Sequence, residues 1–112
     1  IDTLDMNYGD TRAWLQKGQG YDIIEGFVEG ADMFMIKLSE FGLGNSLDAD
    51  EVINSDTITA NANHAQFIYE GDTGYLWFDE NGTTAGGLTL VATLSGASLT
   101  GNSIGVNDFE LA

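Results

Sequence analysis

Lys17-Gly18-Gln19-Gly20-Tyr21-Asp22-Ile23-Ile24-Glu25 joins a turn to a strand. Gly18 and Gly20 let the backbone turn at positive φ without a Cβ clash. Asp22-Ile23-Ile24 reads as a short strand whose apolar residue at 24 points inward. Gly18, Gly20, Asp22 and Ile24 fall on the defined positions of the nonapeptide G-G-x-G-x-D-x-U-x, where U is a large apolar residue. Lys17 stands where the first glycine belongs. In that pattern the turn carbonyls and the aspartate offer hard oxygen ligands to calcium. Stacked turns then build a parallel β-roll.

Fragments of the pattern flank this stretch. Asp2 and Leu4 fit its aspartate and apolar positions, and Gly30-Ala31-Asp32-Met33-Phe34 repeats its second half. The spacings from Asp2 to Asp22 and from Asp22 to Asp32 are 20 and 10, not multiples of nine. This is expected at the end of an array, because solenoids need atypical capping units. The candidate metal ligands are Asp22, Gly18 and Gly20, with Asp2 and Asp32 beside them. For each aspartate the plain alternative is a turn residue. Asp22 is the strongest candidate, because its glycines are in register.

Further along, Asp48 with Glu51 forms a capping-box pattern, which predicts a short helix within Ser46–Ser55. Thr57-Ile58-Thr59 favours extended structure, and Asn61–Asn63 reads as loop. Gln66–Glu70 and Tyr75–Asp79 are aromatic-rich strands joined by Gly71-Asp72-Thr73-Gly74 as a hairpin. Both faces of that hairpin are apolar, so cover on both sides is expected. Asn81-Gly82 predicts a second tight turn; it explains the Asp79–Asn81 pair better than a calcium loop of the EF-hand kind. Leu88–Leu94 is a third strand, and Val106–Leu111 a last turn or strand. One domain is expected over 1–112: degenerate repeats at 1–44, a connecting segment at 45–64, and a hairpin with a terminal cap at 65–112.

Composition narrows the function. Eighteen acids face three bases (Arg12, Lys17, Lys37), a formal net charge of −15. Such a chain repels nucleic acid and anionic membranes, and attracts cations. Without proline or cysteine it has no disulfide framework and no thiolate chemistry, so a metal is a natural staple for so small a fold. No apolar run is long enough to span a membrane. A chain beginning at Ile1, without initiator Met or signal peptide, reads as part of something longer.

Two blocks carry a resemblance. The first is Ala13-Trp14-Leu15 through Asp22-Ile23-Ile24-Glu25-Gly26-Phe27, then Gly30-Ala31-Asp32 and Ile36-Lys37-Leu38-Ser39. The second is Phe67-Ile68-Tyr69, Thr73-Gly74, Leu76, Phe78-Asp79, Asn81-Gly82, then Ala92-Thr93-Leu94 and Asp108-Phe109. Together they resemble the C-terminal cap of RTX (hemolysin-type calcium-binding) proteins, as found in serralysin-type and cyanobacterial secreted proteins. Gly26, Lys37 and Asn81 stand where that family often has aspartate, and each weakens one calcium position. The resemblance implies Ca2+ as cofactor, export by type I secretion machinery, an extracellular location and upstream domains of a parent protein as partners.

The fold class expected is mainly β: an N-terminal β-roll remnant packed with a C-terminal antiparallel sheet, with one or two short helices at most. The function expected is a non-catalytic, calcium-binding capping and secretion domain. A second reading is an extracellular carbohydrate-binding or adhesion module, with Tyr75 and Trp77 as the stacking residues; core packing is the plainer use of such aromatics. The single histidine, His64, sits among polar loop residues and does not suggest an enzyme.

Overall fold

Runs of β-branched and aromatic residues bounded by glycine or acid become the strands. The computed structural model describes residues 3–6, 11–17, 20–84 and 86–111. Nine strands are described: β1 (Thr3–Asp5), β2 (Arg12–Trp14), β3 (Asp22–Glu25), β4 (Met33–Ile36), β5 (Val52–Asn54), β6 (Gln66–Glu70), β7 (Tyr75–Asp79), β8 (Leu88–Ser95) and β9 (Phe109–Leu111). The helical elements described are four 3₁₀ turns of three or four residues. The fold is mainly β, as expected.

The first four strands alternate between two sheets. β1 and β3 pair in parallel in the large sheet, whose order is β1-β3-β8-β7-β6-β5; β2 and β4 pair in parallel in the small sheet, ordered β2-β4-β9. Thr3 faces Ile23 and Arg12 faces Met33, so one coil advances 20 or 21 residues. Asp22 and Asp32 begin successive half-coils, which explains their spacing of ten. The C-terminal segment supplies a third coil: β8 adds to β3 in parallel (Ile24 facing Leu94), and β9 adds to β4 (Phe34 facing Phe109).

The antiparallel strands do not stack on the roll as a separate sheet. They extend it edge to edge. β8 pairs in parallel with β3 on one side and antiparallel with β7 on the other, with a bulge opposite Leu76/Trp77. β6 and β7 form the expected hairpin, Phe67 facing Phe78. All five residues of β6 are buried. The core lies between the sheets, and all six phenylalanines meet in it. Phe27 stacks on Phe34 at 4.3 Å between ring centroids, Phe34 reaches Phe109 at 5.3 Å, and Phe109 reaches Phe67 at 5.1 Å. Phe41, Phe67 and Phe78 close a triangle with sides of 4.9–5.1 Å.

Three local expectations are corrected. The helix at 46–55 reduces to the single turn Ala49–Glu51, although the Glu51 carboxylate does accept the Asp48 N–H at 2.7 Å. Val52 and Ile53 go into β5 instead, because pairing with β6 rewards β-branched residues. Thr57–Thr59 forms no strand. Ile58 sits at φ +55, and the hydroxyls of Ser55, Thr57 and Thr59 bond one another. Asn81-Gly82 is no two-residue turn, since residues 80–87 join β7 to β8. Gly82 alone of the pair is left-handed. A Cβ on Gly82 would run into the backbone oxygens of Ala62 and His64, so packing selects the glycine.

Candidate functional site

The glycine turn between β2 and β3 is fastened by charge. The Glu40 carboxylate accepts the Lys17 backbone N–H at 2.8 Å. The Lys17 ammonium donates to Glu80 at 2.6 Å and lies 5.9 Å from the centroid of the Phe78 ring. Lys17, the departure from the nonapeptide, thus ties the turn to the segment after β7. Gly20 takes the positive φ that the pattern requires, +79. Asp22 opens β3, half-buried, in an open groove with Leu4, Arg12, Trp14 and Gln16. Gly18 and Asp2 lie outside the described residues.

Asp32 has a different setting. It is fully buried, and its two oxygens accept backbone N–H groups, from Thr11 at 3.0 Å and from Val28 at 2.8 Å. It fastens the turn between β3 and β4 to the residue that enters β2. Asp22 opens β3, whereas Asp32 lies beyond its far end, after the turn and just before β4. Among the described residues no group of three or more His, Cys, Asp or Glu side chains is placed to hold a metal. Of the sequence-predicted ligands that are described, Gly20 is exposed, Asp22 is half-buried at the head of β3, and Asp32 has both oxygens engaged by backbone N–H groups.

Tyr75 and Trp77 project from the outer face of the large sheet. Tyr75 is 38% exposed and Trp77 half-buried, with ring centroids 6.3 Å apart and planes tilted by 55°. Tyr69 and Phe78, by contrast, are buried, as core packing predicts. The Trp77 indole N–H donates to Glu70 at 3.2 Å. His64 is half-buried, with Nδ1 3.1 Å from the Ala65 carbonyl and Nε2 3.2 Å from Asp50, a pair charged only when the ring is protonated. The chain matches no family model, no curated protein and no solved structure. No helix among the described residues is long and apolar enough to cross a membrane.

Two acidic positions gain significance only in three dimensions. Asp72, in the β6–β7 turn, has its pKa raised by partial desolvation and then by the Asp56 and Glu70 carboxylates. Asp108 is buried beside a groove that Glu29 also lines, and its Oδ2 accepts the Gly105 N–H at 2.9 Å. Burial raises the Asp108 pKa, the Gly105 N–H opposes this, and Glu29 adds to it. A carboxyl with a raised folded pKa binds its proton more tightly in the folded state. Asp108 therefore contributes stability that is complete below its unfolded value of about 3.9, and that stability is lost as pH rises through the folded pKa. Asp108→Asn keeps an acceptor for Gly105 and removes this titration. Urea denaturation of both proteins is expected to show the variant gaining relative stability from acid to neutral pH. A difference independent of pH would remove the assignment.

Proposed function

We propose that the chain is a non-catalytic cap that terminates a parallel β-roll, of the RTX kind, in a longer protein exported by a type I system and folded in extracellular calcium. The observation that carries this reading is the strand order. The first four strands alternate between the two sheets with parallel pairing, the C-terminal β8 and β9 complete the last coil in parallel, and β7, β6 and β5 extend the large sheet beyond it. At the other end β1 and β2 are both edge strands. Leu4, though directed at the core, is only partly buried there. A further coil with one parallel strand per sheet would cover both edges.

Calcium, when bound, would supply positive charge to a fold carrying −15. Gly20 shapes the turn, Asp22 would contribute a carboxylate, and Lys17 anchors the turn to the segment after β7 through Glu80. At the affinity of extracellular calcium modules, a Kd of about 10⁻⁴–10⁻³ M, ~10 mM calcium stabilises by about 1.4–2.7 kcal/mol. That is a rise of about 5–15 °C in melting temperature for a domain of this size.

The test is calorimetry of the chain, and of the chain preceded by one regular nonapeptide coil, in calcium and in EDTA. Calcium is expected to raise the melting temperature of both, Asp22→Ala to remove most of that rise, and the extended chain to melt in one transition at higher temperature. Identical curves in calcium and EDTA would end the metal reading. Two independent transitions in the extended chain would end the capping one.

A further inference from the structure

The outer face of the large sheet carries an apolar surface in an otherwise acidic chain. The pairing register places Thr3, Ile23, Thr93, Tyr75 and Glu70 in one row across β1-β3-β8-β7-β6. Ile53, Ile68, Trp77 and Leu90 form the next row. Ile68 is fully buried among these neighbours, whereas Tyr75 and Leu88 are 38% and 42% exposed. At the corner where the hairpin turns, this face meets acids. Glu70 holds the Trp77 indole, Asp72 follows in the turn, and the Asp72 N–H donates to Asp56. The ion pairs made by bases among the described residues lie elsewhere: Arg12 with Glu110 and Lys17 with Glu80.

We propose that the corner formed by Tyr75, Trp77 and Asp72, with the buried Glu70 holding the indole beneath it, is a docking site for lysine or arginine side chains of a basic partner segment. Charge complementarity selects the occupant. Aromatic faces attract ammonium and guanidinium groups, neighbouring carboxylates add charge-assisted hydrogen bonds, and the field of a −15 chain steers cations inward. The ring geometry agrees. Planes tilted by 55°, with centroids 6.3 Å apart, form no single flat platform for a sugar ring, a geometry that suits a compact cation better. The crowding of Asp72 by Asp56 and Glu70 is of the kind an incoming cation relieves.

The test uses Trp77 as its own reporter. Trp14→Phe leaves Trp77 as the one tryptophan of the chain, because the sequence has two. Short oligoarginine and oligolysine peptides are titrated against its fluorescence, with a neutral oligosaccharide as the competing probe. Saturable, salt-sensitive binding of the peptides is expected. Tyr75→Ala and Asp72→Asn should each weaken it by about fivefold to tenfold, while Asp48→Asn, which removes an equal charge elsewhere, should leave it unchanged. Tyr75 and Asp72 are both exposed, so neither substitution disturbs the core and the Trp77 reporter is kept in each variant. Equal losses in all three variants, or none in Tyr75→Ala, would reduce the binding to diffuse charge and overturn the proposal. So would a response of Trp77 to the oligosaccharide and not to the peptides.

Discussion

Phe34→Ala is expected to lower the unfolding free energy by about 3–5 kcal/mol, the usual cost of deleting a fully packed phenylalanine. Phe34 is fully buried and stacks nearly parallel on Phe27, with 8° between planes, while touching Phe109 on the neighbouring strand. It is therefore a link between the second coil, which holds Phe27, and the third, which holds Phe109. A domain of this size has about 5–15 kcal/mol of stability, so one substitution removes a large part of it. The cavity would also loosen β9, whose three residues are held to the small sheet by β4 alone. Urea denaturation measures the loss. A cost below about 1 kcal/mol would mean that the ring network does not bear on stability.

Asp32→Ala is the second large effect, about 2–4 kcal/mol, because it strips the partners from two backbone N–H groups, each worth about 1–3 kcal/mol when left unsatisfied. The measurement also distinguishes the two roles open to this residue. A carboxylate that only fastens Thr11 and Val28 costs the same to remove in calcium as in EDTA. A calcium ligand costs more in calcium. Equal losses are expected for Asp32, and unequal losses for Asp22. The reverse pattern would exchange their roles.

Much of the fold is legible without coordinates. Glycine in register before Asp22, the apolar residue at 24 and the aromatic pair Gln66–Glu70 and Tyr75–Asp79 specify local backbone, and the strands form where those signals fall. Local signals fail where packing competes. The capping box of Asp48 and Glu51 nucleates one turn, after which Val52 and Ile53 gain more by pairing with β6. Asn81-Gly82 has the chemistry of a tight turn, yet Gly82 is needed where the chain passes under Ala62 and His64.

The candidate site divides in the same way. The pattern of residues singles out Asp22, Asp32, Tyr75 and Trp77. It does not place Asp32 in the interior with both oxygens engaged, or bring Glu70, Asp72 and Asp56 together beside the aromatic pair. By itself the sequence determines β3, the β6–β7 hairpin, β8 and a strongly anionic chain, because these depend on neighbours along the chain. The tertiary structure alone decides that β8 and β9 close the roll and which carboxylates are buried, because parallel pairing joins residues up to 75 positions apart. Register over such distances is set by which apolar faces can share one core.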